Sequence, residues 1–148
     1  MKITFVIGIP GSGKSTYISE NFKDRKVIDL FDFQKPYNKK GWITKEEVWK
    51  SYEDTKEALL ECIRNNEDVV LEHTFLRAIR RIPYLEAIKE ITDYPIDIVV
   101  MKPSLEILRE RWIKRKMYIE DDEILNFLNV LEIPSIEEGY SNVIIITE

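Results

Sequence analysis

One short run of glycines limits what this chain can become. Gly8-Ile9-Pro10-Gly11-Ser12-Gly13-Lys14-Ser15 satisfies the spacing G-x-x-x-x-G-K-[ST], with an apolar run before it and a helical pattern after it. The glycines let the backbone curl until successive N–H groups point inward, and the helix that follows adds its positive end at the same place. Lys14 supplies a mobile cation for the outer phosphates, and the Ser15 hydroxyl suits a bound Mg²⁺. The stretch therefore reads as a cradle for a nucleoside triphosphate, with Gly8, Pro10, Gly11, Ser12, Gly13, Lys14, Ser15 and Thr16 as the expected binding residues.

A cradle of this kind needs a strand in front of it, and the sequence offers five such runs: Lys2 to Gly8, Arg25 to Asp29, Asp68 to His73, Ile96 to Met101 and Asn142 to Thr147. Each is continuously apolar rather than alternating, the pattern of parallel strands covered by helices on both faces. The fold class expected is therefore α/β. Between the strands, Lys14 to Asn21 reads as a helix. Thr44 with Glu47 forms a capping-box signature before a helix ending near Asn65 and Asn66. Pro83 is expected in the first turn of a helix through YLEAIKEI, with Arg77, Arg80 and Arg81 at or just before its start. Ser104 caps LEILRERWIKRKM, and Asp121 or Asp122 opens EILNFLNVLE. Phe33 to Trp42 carries Pro, Asn and Gly and reads as an exposed loop near the site.

The length of 148 residues suits one domain over residues 1–148, and 44% hydrophobic with 33% charged residues is the composition of a globular protein. A net charge of −5 repels polyanions as a whole, so a nucleic-acid contact would need a local basic face. Cys62, the single cysteine, excludes an internal disulfide and reads as a small buried apolar residue. No segment approaches the roughly 20 apolar residues needed to span a bilayer, and the N-terminal apolar run is too short for a signal-peptide core, so a cytoplasmic setting without a membrane partner is expected.

Where the phosphate goes depends on other residues. Asp29 and Asp32 lie where the second strand ends, the edge that carries the glycine loop, and either suits a general base. Glu72 ends the third strand and could hold Mg²⁺ together with Ser15. His73 reads as a packing or hydrogen-bonding residue. The cluster Arg109, Arg111, Lys114, Arg115 and Lys116 is either a solvated basic face or a lid over the triphosphate, with Arg111 and Arg115 as the lid candidates. Phe31, Phe33, Tyr37 and Trp42 suit either base stacking or the core.

Taken together, GIPGSGKST, the aspartates after the second strand, VVLEHTFLRAIRR after the third and LRERWIKRK after the fourth resemble the P-loop kinases related to phage polynucleotide 5′-hydroxyl kinase, in the adenylate-kinase-like group. The resemblance implies a three-layer P-loop NTPase fold, with a five-stranded parallel sheet in the order 2-3-1-4-5 and a short helical lid. It also implies use of ATP and Mg²⁺, and transfer of the γ-phosphate to a hydroxyl of a nucleic-acid 5′ end or a small compound. In that family an aspartate followed three residues later by an arginine supplies the base and a contact to substrate phosphate. The nearest match is Asp32 with Lys35 in the arginine's place, which forgoes bidentate phosphate geometry. By the same resemblance Arg77 and Arg80 would meet the acceptor, and Arg111 and Arg115 would lie near the ATP phosphates.

Overall fold

The computed structural model describes residues 1–116 and 120–148. Strands β1 (Ile3–Gly8), β2 (Lys26–Asp29), β3 (Val69–His73), β4 (Ile96–Met101) and β5 (Asn142–Ile146) form one all-parallel sheet in the order β2-β3-β1-β4-β5 among the described residues. The helices are α1 (Lys14–Asn21), α2 (Leu30–Gln34), α3 (Lys45–Arg64), α4 (Ala78–Ile91), α5 (Leu105–Lys114) and α6 (Asp121–Val130), with 3₁₀ turns at Lys35–Tyr37 and Ile136–Glu138. The sheet order and the strand positions are those the sequence and its resemblance implied.

The two faces of the sheet are covered unequally. On one, Phe5, Ile7, Leu71 and Ile98 meet Leu59 and Ile63 of α3 and Leu85 and Ile88 of α4 in the main core, which also takes in Cys62. On the other, Val6, Val70, Val99 and Met101 pack under Ile18 of α1. Burial follows the continuous apolar pattern for β1, β3 and β4, but not for the two edge strands: β2, where Val27 is exposed, and β5. An edge strand lacks a neighbour on one side, and Ile144 and Ile145 remain 43% and 46% exposed.

Local signals explain most helix limits. Thr44 and Glu47 make the reciprocal capping box, and Ser104 accepts from the Ile107 N–H. Helix α4 differs from expectation, because it starts at Ala78 and Pro83 lies inside it. Arg80 and Arg81 are therefore helical, and Arg81 turns inward. The last residue of the expected LEILRERWIKRKM helix, Met117, lies outside the described residues.

The register sets the site. Asp29 stands beside Glu72 across β2 and β3, Glu72 beside Val6, and Gly8 beside Met101. Both carboxylates and the glycine loop thus share the carboxyl edge of the sheet. The turn after β3 is held from both sides: the Phe75 N–H donates to His73 Nδ1 at 3.1 Å, and its carbonyl accepts from Arg81 at 2.8 Å. Phe75 has a φ of +35°, a region a bulky residue occupies only under restraint. Arg81, fully buried, pairs with Glu138 at 3.0 Å and so ties this turn to the C-terminal segment.

Candidate functional site

The glycine loop runs from the buried end of β1 into α1 around a cavity of about 270 Å³, lined by Pro10 to Ser15 together with Asp29, Phe31, Glu72, Trp112 and Arg115. Gly11 and Gly13 have φ values of +80° and +100°, so a side chain at either would be strained. Gly13 occupies the cap of α1, which aims the helix N-terminus at the cavity.

Lys14 is buried and donates to the carbonyls of Gly8 at 2.7 Å and Ile9 at 3.1 Å. Burial lowers its pKa to about 8, opposed by the negative charges of Glu72 and Asp29 and reinforced by Arg115. Ser15 Oγ lies 3.0 Å from each carboxylate oxygen of Glu72. Burial raises the proton affinity of Glu72, and the neighbouring Asp29 raises it further. Burial also raises that of Asp29, with Asp32 adding to the effect and the Phe31 N–H opposing it.

These residues fit the groups the loop calls for. Ser15, Glu72 and Asp29 offer a hydroxyl and two carboxylates, hard oxygen donors of the type Mg²⁺ takes, and a cation would relieve the repulsion between the acids. Ser12 Oγ is fully buried in the loop without a hydrogen-bond partner among the described residues, as suits a group awaiting a phosphate oxygen. His73 belongs to the support. It stacks on Phe75 at 3.6 Å between centroids and is held neutral by burial, with Nδ1 as acceptor and the proton on Nε2.

Other expected site residues are placed differently. Asp32 lies outside the loop cavity, on the rim of an adjoining groove of about 490 Å³ that shares Ser15, Asp29 and Glu72 with it. Its carboxylate pairs with Lys35 at 3.2 Å, in solvent. Arg77 pairs with Glu132 at 3.5 Å, and Arg80 lies over the Trp49 ring at 4.0 Å. Arg115 lines the cavity at the glycine loop, but Arg111 does not. Its guanidinium donates to the Ser12 carbonyl at 2.7 Å from outside the loop. Thr16, Arg111 and Arg115 line a separate cavity of about 420 Å³ with Tyr17, Ile146 and Glu148. Arg109 makes a two-bond pair with Asp121 that joins α5 to α6. Of the four aromatics, Phe31 reaches the loop cavity, Phe33 packs on the core, Tyr37 donates to Asp54, and Trp42 is exposed under Lys40.

Trp112 is the site residue the sequence reading missed. It lines the loop cavity and donates to the Pro10 carbonyl at 3.0 Å. Its one signal was position, four residues after Leu108 on the apolar face of a basic helix.

Residues 3–132 match the AAA domain family. No curated protein matches the chain. Among solved structures, the chain is similar to an unliganded sugar kinase from Janibacter sp. HTCC2649, with a TM-score of 0.71 and 17% identity over 99% of this chain and 85% of that one. A gluconokinase from Sinorhizobium meliloti 1021 gives a TM-score of 0.68 and 21% identity over 99% and 82%. The Pnkp1/Rnl/Hen1 RNA repair complex gives 0.71 and 19% over 88% of this chain but only 43% of that chain. With the match across most of its length and a parallel sheet in the order β2-β3-β1-β4-β5, this chain belongs to the AAA domain family and has a kinase-like P-loop fold.

Proposed function

We propose that this protein is a Mg²⁺- and ATP-dependent phosphotransferase that moves the γ-phosphate of ATP to a hydroxyl acceptor. The observation that carries the reading is the cross-strand pair Asp29 and Glu72, set against Ser15 and Lys14 at the mouth of the loop. A metal ion needs few protein oxygens when a triphosphate supplies others, so a pair of acids leaves one carboxylate for the acceptor. When bound, Mg²⁺ would screen the phosphate charges, with Ser15 and Glu72 as its holders.

Lys14 and the loop N–H groups bind the triphosphate, and Arg115 covers charge on the transferring group. Asp29 is the better-placed base: it lines the phosphate cavity, and burial raises its proton affinity above that of an ordinary carboxylate. Asp32, on the adjoining groove, is the alternative base on the acceptor side. For Lys35, Arg77 and Arg80 to meet an acceptor, each would exchange its present partner for it. The separate cavity bounded by Thr16, Arg111 and Arg115 suits the nucleoside end of ATP, since it shares Gly13 and Arg115 with the phosphate cavity.

The test is transfer of labelled γ-phosphate from ATP with Mg²⁺ to a 5′-hydroxyl oligonucleotide and, in parallel, to sugars and sugar acids, with Lys14→Ala as blank. The resemblance puts the polynucleotide first, and the sugar kinase and gluconokinase neighbours put small polyols second. Label on either acceptor with wild type alone supports the phosphotransferase. Phosphate release at the same rate with and without every acceptor would replace it with a slow NTPase. ATP binding without turnover would leave a nucleotide-binding module.

A further inference from the structure

Helix α5 grips the phosphate loop at two carbonyls. Trp112 Nε1–H donates to Pro10 at 3.0 Å, and Arg111 donates to Ser12 at 2.7 Å. The indole is buried among Ile9, Leu108 and Ile124, so its position is fixed by the packing of α5 and α6. It lies so close to the loop that a Cβ on Gly11 would fall 2.5 Å from Nε1 and 2.9 Å from the next ring carbon.

The two carbonyls are the ones that matter for an anion. In a planar trans peptide the C=O and the N–H point in opposite directions. The Pro10 carbonyl shares its peptide with the Gly11 N–H, and the Ser12 carbonyl shares its peptide with the Gly13 N–H. Holding each C=O on the α5 side therefore turns the Gly11 and Gly13 N–H groups the other way. Glycine is also the residue at which a peptide plane turns over most readily, so these two peptides have most need of an external hold. A carbonyl swung inward would present its negative end to phosphate oxygens.

We propose that Trp112 is a positioning residue for polyphosphate binding: through the Pro10 carbonyl it keeps the Gly11 N–H turned into the cradle, with Arg111 doing the same for Gly13. The proposal rests on reading the cavity as a triphosphate site. It gives Arg111 a task on the outside of the loop, and it makes α5 part of the cradle before any ligand arrives.

Trp112→Phe keeps a ring in the packing and removes the N–H. Calorimetric affinity for inorganic tripolyphosphate and for ATP, both with Mg²⁺, is expected to weaken about five- to tenfold, the scale of one net hydrogen bond. In ATP turnover the loss is expected to fall more on KM than on kcat, since the residue acts on binding. Arg111→Met tests the second anchor with the indole intact and serves where Trp112→Phe does not fold, with a similar weakening for tripolyphosphate expected. Wild-type affinity in the folded variants, or a loss confined to kcat, would overturn the positioning role and leave the phosphotransferase reading standing. Failure of the wild-type protein to bind either ligand would overturn both.

Discussion

Around Lys14, polar and charged groups are held short of the partners they call for, whereas Asp32, Arg77 and Arg80, the residues expected to serve an acceptor, already have partners. Lys14 is buried against its own loop carbonyls, burial raises the proton affinities of both Asp29 and Glu72, with Asp29 adding to that of Glu72, and Ser12 Oγ is unpartnered among the described residues. Asp32 meets Lys35, Arg77 meets Glu132, and Arg80 meets Trp49. On the proposed reading, the difference teaches that preorganisation is invested in the phosphate donor. An acceptor has to compete with contacts the protein already makes.

Four experiments break or sharpen this contrast. Lys14→Ala has the largest expected effect, a loss of about 10²- to 10³-fold in ATP turnover, as for removal of one donor to the reacting charge. Its thermal midpoint should not fall, because the burial that lowers the Lys14 pKa to about 8 also opposes folding. Glu72→Gln follows, with Mg²⁺-dependent ATP binding weakened about 10- to 100-fold, measured by titrating the metal at fixed nucleotide.

The pH dependence is the third. Asp29 and Glu72 bind protons more tightly folded than unfolded, so in the range between those affinities the folded state carries more protons. Stability from this pair is present in acid and is lost as pH rises through the folded values. Lys14 has the opposite sign: its folded pKa lies below its unfolded one, so stability rises as pH passes about 8 toward 10.5. Mg²⁺ should therefore raise the thermal midpoint at neutral pH and do so less at pH 4.5, followed by calorimetry at both. The smallest effect belongs to Arg80→Ala, about 0.5 to 1 kcal/mol of stability for the lost Trp49 contact, read by denaturant unfolding. ATP affinity should be unchanged, and a marked loss would mean that the two sides are not separable.

The glycine loop was legible because its demands are local. A curled backbone, a cation and a hydroxyl need only the right residues in order, and the strand and helix around them follow from neighbouring periodicity. Glu72 was legible for the same reason, as a polar residue closing an apolar run. The partnership of Asp29 with Glu72 was not, since it depends on the β2–β3 register across 42 residues of intervening chain. Arg81 read as one more cation in a basic run, yet it is the buried member, because the helix begins before Pro83 and turns it toward Glu138. In β5 the apolar pattern matched a buried strand, but burial depends on what lies alongside, and the strand forms an edge.

The Arg81–Glu138 pair also bears on how the chain is made. While synthesis has yet to reach Glu138, the turn after β3 cannot close around Arg81 without burying an unanswered charge, a loss of about 3 to 5 kcal/mol when one partner is missing. The phosphate loop and its helix emerge early, but the turn that supports Glu72 waits for a segment 57 residues downstream of Arg81. On the ribosome, therefore, the turn that follows Glu72 at the carboxyl edge of the sheet is completed only after Glu138 has emerged.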